Sequence, residues 1–189
     1  MMTAANPEQV IRDYLAAPHV VTSSRVDPPG SGWTAETGTG GMGALPETLT
    51  FVRMRALGAR RLYAVTFEDT SGRRMFFVCH LVLDERSGAW RFDGGAGGSE
   101  TGNPQRGQPW VNLGGGGWPS RFYAGGPLLE DDVGVVARVR LRAANGVTIE
   151  DTVDRGIALF LTYSAVALPI RAELLDSAGA LVSQHDWLR

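Results

Sequence analysis

The residues best equipped for chemistry are few. Cys79 and His80 stand side by side in "MFFVCHLVL", a pairing that would suit a thiolate nucleophile and its general base. Neighbours on a strand point to opposite faces, so the two form no dyad unless the strand is bulged. The expectation is a Cys79 turned into the core, a half-exposed His80 and no catalytic residue. His19, His80 and His185 are far apart, and Cys79 is the only cysteine. Neither H-E-x-x-H nor C-x-x-C is present, so no metal centre is expected. His185 and Asp186 in "QHDW" also face opposite ways on a strand. Gly38 to Gly43 matches G-x-G-x-x-G letter for letter. A dinucleotide site needs a strand before that motif and a helix after it, whereas Pro46 follows closely, so a loop and no cofactor are expected. All 18 basic residues are arginine. Without lysine there is no Schiff-base chemistry and no phosphate-binding lysine of a P-loop.

Two groups could bind rather than react. "VNLGGGGWPSRFYAGG" runs from Val111 to Gly126. Its glycines permit close backbone approach, and the aromatics around them offer area with a polar edge. Either the aromatics pin a junction between two sheets, or Trp110, Trp118, Arg121 and Tyr123 line a groove with Arg121 ready for a carboxylate or phosphate. The second group is Arg138, Arg140 and Arg142 in "VGVVARVRLRA". Period-2 alternation sets them on one face about 7 Å apart, with Val136, while Val135, Ala137, Val139 and Leu141 face the other way. A phosphate could use such a ladder. No aromatic is interleaved with it, so the expectation is a solvated face balanced by Glu150, Asp151 or Glu173, and nucleic acid is not expected as a partner.

The elements that position these residues read as mostly β. Asn6-Pro7-Glu8 is a helix start with an N-cap, a proline at N1 and an early acid. Val10, Ile11, Tyr14 and Leu15 form one apolar stripe, and Pro18 ends the helix. Thr22 to Pro46 is rich in Gly, Ser, Thr and Pro and reads as a long loop. "TLTFVRMRAL", "RRLYAVTFED", "RRMFFVCHLVLDE" and "GAWRFDGG" are joined by short turns and read as an antiparallel meander, the third strand central. "DGGAGGSETGNPQRGQP", Asp93 to Pro109, is the best linker by composition. Beyond it, Asn145-Gly146 marks a hairpin, and short strands with regular turns suggest a sandwich. The fold class is therefore α+β, mostly β: one N-terminal helix, an antiparallel meander and a β-sandwich-like C-terminal half. The expected division is 1–98, a Gly/Pro-rich linker over 99–109, and 110–189.

The chain has 189 residues, a formal net charge of −2 and 43% hydrophobic residues. That length can bury about 70% of its unfolded surface without a metal or disulfide. The charge creates no field favouring nucleic acid or an anionic membrane. The N-terminal stretch lacks the basic and apolar regions of a secretory signal, and no apolar run reaches the roughly 20 residues of a spanning helix. A cytoplasmic protein is expected.

The helix "NPEQVIRDYLAA" with a meander closing at Trp90-Arg91 resembles NTF2-like (cystatin-like) α+β proteins, which implies a concave pocket in the first half. "VARVRLRAANGVTIEDTVDRGIALFL" through "RAELLDSAGALV" resembles small β-sandwich modules of uncharacterised bacterial proteins. Neither resemblance brings a catalytic motif. The functional expectation is a non-enzymatic soluble binding or interaction module for a protein or small-molecule partner, with homodimerisation allowed. The alternative is an NTF2-like pocket protein that binds a small molecule or acts as a minor enzyme.

Overall fold

A computed structural model describes residues 6–17, 19–26, 33–40, 43–99, 105–117 and 121–188, with backbone alone for 19–26 and 33–40. Helix α1, Pro7–Ala16, begins where the Asn6 side chain accepts a hydrogen bond from the Glu8 N–H at 3.1 Å, which satisfies one of the free donors of the first turn. Strands β1 (His19–Val26) and β2 (Trp33–Gly40) pair antiparallel with each other. The loop expected over Thr22 to Pro46 is thus largely a hairpin in its described part. Its Ser, Thr and Gly residues hid a ladder that rests on backbone pairing and carries no apolar alternation.

The meander comprises β3 (Thr50–Leu57), β4 (Arg60–Glu68), β5 (Arg74–Asp84) and β6 (Ala89–Ser99), in that spatial order. β6 continues through Gly94 to Ser99, which pairs with Met75. The first seven residues of the Asp93–Pro109 stretch are therefore strand. Of the expected 99–109 linker, Ser99 ends β6, and 105–109 is a loop held by Glu130, whose carboxylate accepts from the N–H groups of Arg106 and Gly107 at 2.6 Å each.

The second half supplies two further sheets. β7 (Trp110–Val111), β8 (Gly114–Gly116), β9 (Tyr123–Leu129) and β12 (Ile157–Leu161) form one sheet, in which β9 pairs with the other three strands. β10 (Arg138–Ala143), β11 (Thr148–Thr152), β13 (Ile170–Leu175) and β14 (Leu181–Leu188) form the other, ordered β11-β10-β13-β14. The protein is α+β and mostly β, with its one N-terminal helix, as the patterning implies.

Side-chain alternation stacks α1, the meander and the two sheets of the second half in four layers. Tyr63, Val65, Phe67, Phe77 and Cys79 pack with Ile11 and Leu15 under α1. The opposite face of the same strands, Leu62, Ala64, Phe76 and Val78, packs on Tyr123, Ile157, Leu159 and Leu161 of the middle sheet. The other face of that sheet, Phe122, Ala124, Ala158 and Phe160, packs on Val139, Leu141, Ala172 and Leu174 of the outer sheet. Both halves of the chain thus contribute to one cluster at the meander–middle-sheet junction.

Edge contacts fasten the layers. Asp151 of β11 receives Arg53 at 2.6 Å and Arg55 at 2.5 Å from β3, and the Leu159 N–H at 2.7 Å. Its burial beside two guanidiniums sets it apart from Glu150 and Glu173. On the far side, Ser183, His185 and Trp187, alternate residues of β14, donate to the carbonyls of Pro109, Val111 and Leu113. A side-chain ladder thereby covers the exposed edge of β7, an edge that would otherwise invite pairing with another chain.

Candidate functional site

Two of the places that gather polar side chains among the described residues are the junction around Tyr123 and the outer face of the last sheet.

At the junction the glycines explain themselves by space. A Cβ on Gly114 would stand 2.9 Å from that of Ala96, and one on Gly125 would stand 2.9 Å from Val78 Cγ1. Both distances lie below ordinary contact, so β8 and β9 approach the meander only because these positions carry no side chain. Tyr123 is buried at 6% exposure and stacks on His80, ring centroids 4.8 Å apart at 15°. Burial, reinforced by the nearby Asp93 carboxylate, pushes the Tyr123 phenol up to about 12.

His80 is fully buried, not half-exposed as expected, because the middle sheet covers that face of β5. Arg60, on the same face of β4 and 3% exposed, donates from Nε to His80 Nε2 at 2.9 Å. The guanidinium also donates to the carbonyls of Thr162 at 2.6 Å, Arg121 at 2.8 Å and Phe122 at 3.2 Å. A guanidinium has no lone pair to give, so His80 Nε2 is the acceptor and the neutral ring carries its proton on Nδ1. Nδ1 lies 3.3 Å from Asp93 Oδ2 but outside hydrogen-bond alignment. Burial, and then the Arg60 charge, pushes His80 down to about 4, against the opposing pull of Asp93.

This arrangement fastens rather than reacts. A general base needs a free lone pair within reach of a substrate. The lone pair of His80 is already spent on Arg60 in a sealed interior. Cys79 lies on the other face of β5 with no exposure, and burial pushes its thiol up, which removes the thiolate a nucleophile requires. Among the described residues no group of three or more His, Cys, Asp or Glu is placed to hold a metal ion.

Of the residues proposed to line a groove, Trp110 is 4% exposed; its indole N–H donates to Glu130 at 3.0 Å, and the Arg106 guanidinium lies 4.2 Å from the centre of its ring. Arg121 has an exposed side chain 3.5 Å from Asp93. Trp118 lies outside the described residues. Trp110 and Tyr123 are not brought together: Trp110 belongs to the β7 edge and Tyr123 to the junction. Sequence reasoning missed Arg60 and Asp93. Period 2 in "RRLYAV" puts Arg60 on the face of Leu62 and Ala64, and that was the available signal for a buried arginine.

On the outer sheet Arg138, Arg140 and Arg142 share the solvent face with Glu150 and Glu173. They form one continuous chain of alternating charge across three strands. Its N···O steps are Arg138–Glu150 at 3.1 Å, Glu150–Arg140 at 2.8 Å, Arg140–Glu173 at 3.4 Å and Glu173–Arg142 at 2.6 Å. The pairing holds the Glu150 carboxyl below its ordinary range, chiefly through the hydrogen bond from Arg140. Val136 departs from the expected alternation: it is buried and Val135 exposed. β10 begins only at Arg138, and Asp131 turns the preceding backbone by accepting from the N–H groups of both valines.

No known protein family, no curated protein and no solved structure matches this chain.

Proposed function

We propose that the protein is a non-enzymatic interaction module that binds a protein partner through the outer face of the β11-β10-β13-β14 sheet. The observation that carries this reading is the five-residue chain of alternating charge. Its side chains are held by one another before any partner arrives, so less rotamer freedom is lost on binding. Fixed, alternating charge discriminates partners by pattern more than it adds raw affinity. The junction supports the same reading from the other side, since its His, Arg and Tyr are consumed in fastening two sheets. The packing of Ile11 and Leu15 of α1 on Phe67 and Phe77 favours this reading over the NTF2-like alternative, which calls for an open pocket on the meander, and a cytoplasmic setting is part of the proposal.

A broad panel of hydrolase and isomerase substrates tests the non-enzymatic half. No turnover that disappears in His80→Gln or Cys79→Ala is expected, and any such activity would overturn it. Affinity capture from cell extract tests the surface. A partner should be retained by the wild-type protein and lost by Arg138→Gln/Arg142→Gln, while retention by both would put the interface elsewhere.

A further inference from the structure

At one end of the same face, Arg142 of β10 and Arg171 of β13 occupy directly opposite positions in the register. Like charges so placed repel, since their Cβ atoms are about 5 Å apart. Beside them lies a surface depression of about 210 Å³, lined by Arg142, Arg171, Asp186, Ala144, Pro169 and Ile170 among others. Both guanidiniums contact a carboxylate through Nε: Arg142 that of Glu173 at 2.6 Å and Arg171 that of Asp186 at 3.5 Å. Both side chains are about half exposed, so their terminal nitrogens reach solvent.

From this we infer that the depression is a binding site for a small carboxylate carrying a short aliphatic group. Across this face Arg138, Arg140, Arg142 and Arg171 outnumber Glu150, Glu173 and Asp186 by one, a surplus positive charge that a monoanion neutralises. Paired N–H groups of arginine match the two oxygens of a carboxylate. The remaining lining is alanine, proline and isoleucine, which suits an apolar tail. The volume is below that of a drug-sized pocket, so the ligand is small or is the end of a longer chain. Such an anion would also relieve the opposition of Arg142 and Arg171. The site shares Arg142 with the interaction surface proposed above, but binding of a free carboxylate is measured without a macromolecular partner, so failure of one does not decide the other.

The test is an NMR titration of the full chain with butyrate, with 1-butanol as the uncharged control. A peptide ending in a free aliphatic carboxylate is compared with its C-terminal amide to distinguish a free acid from a chain terminus as the source. Saturable shifts confined to amides near residues 142–144 and 170–171 are expected with butyrate or with the free-acid peptide. The tighter of the two identifies the source. Binding should weaken at least tenfold in Arg171→Gln and in Arg142→Gln, with thermal melts confirming that both variants fold. Arg171 is half exposed, and Glu173 keeps Arg140 as a partner when Arg142 is lost, so neither change should unfold the protein. Absence of saturation with both acids, equal shifts with butanol, or binding unchanged in the two variants would each overturn the site.

Discussion

Arg60 Nε donates to His80 Nε2 at 2.9 Å in the sealed junction between the meander and the middle sheet. The contact joins residues from β4 and β5, and through three carbonyls it reaches Arg121, Phe122 and Thr162 in the second half of the chain. His80 is thereby made a structural acceptor.

Replacing Arg60 should be severe. Arg60→Gln leaves buried carbonyls and a ring nitrogen without their donor, a loss of about 3–5 kcal/mol by analogy with broken buried pairs. Arg60→Lys should not restore stability, because an ammonium lacks the planar fork that serves several acceptors at once. Chemical denaturation of both variants checks this; a lysine variant as stable as wild type would count against the network.

The pH dependence has a definite sign. His80 titrates near 4 when folded and near 6.5 when unfolded. Between those values the unfolded chain takes up a proton that the folded one refuses. Stability should therefore be unaffected by His80 above about pH 6.5, fall as pH drops from 6.5 to 4, and lose about 2–3 kcal/mol to this residue over that window. Melting curves of wild type and His80→Gln across pH 4–7 should show a shallower acid loss in the variant. Identical slopes would mean that the ring is not held neutral.

Much of the fold could be read from periodicity, and the exceptions have physical causes. The four meander strands alternate or run apolar, and Cys79 and His80 lie on opposite faces as adjacent strand residues must. The exposure of His80 was not legible, because local pattern does not reveal that a second sheet will cover the face. β8 and β9 escaped notice for the opposite reason. "GGG" and "YAGGPLL" lack β-branched residues because close approach to Ala96 and Val78 leaves no room for them. The Arg138–Arg142 ladder could be read from alternation, with Glu150, Asp151 or Glu173 as its candidate partners. That Glu150 and Glu173 share it while Asp151 turns to Arg53 and Arg55 depends on strand order.

Space rather than flexibility should govern Gly125. A Cβ there meets Leu159 of the adjacent strand and Val78 across the junction, so Gly125→Val overpacks a filled interior and should destabilise by about 1–3 kcal/mol. A denaturant midpoint equal to that of wild type would show that the sheets separate more easily than their packing implies.

Cys79 should resist labelling. With no exposure and its thiol pushed up by burial, it should react with a bulky disulfide reagent only after unfolding. Rapid labelling in native buffer would place the thiol at an accessible surface and revive a reactive role.

The central claim is that partner recognition runs through the alternating charges of the outer sheet. Its most direct test is the dissociation constant for a captured and purified partner, measured by calorimetry with wild type and Arg138→Gln/Arg142→Gln at low and high salt. Interface charges that set specificity are screened by salt. Affinity should fall at least tenfold in the variant and should fall with salt in the wild type, while both proteins melt at similar temperatures. An affinity indifferent to both the substitutions and the salt would contradict the claim.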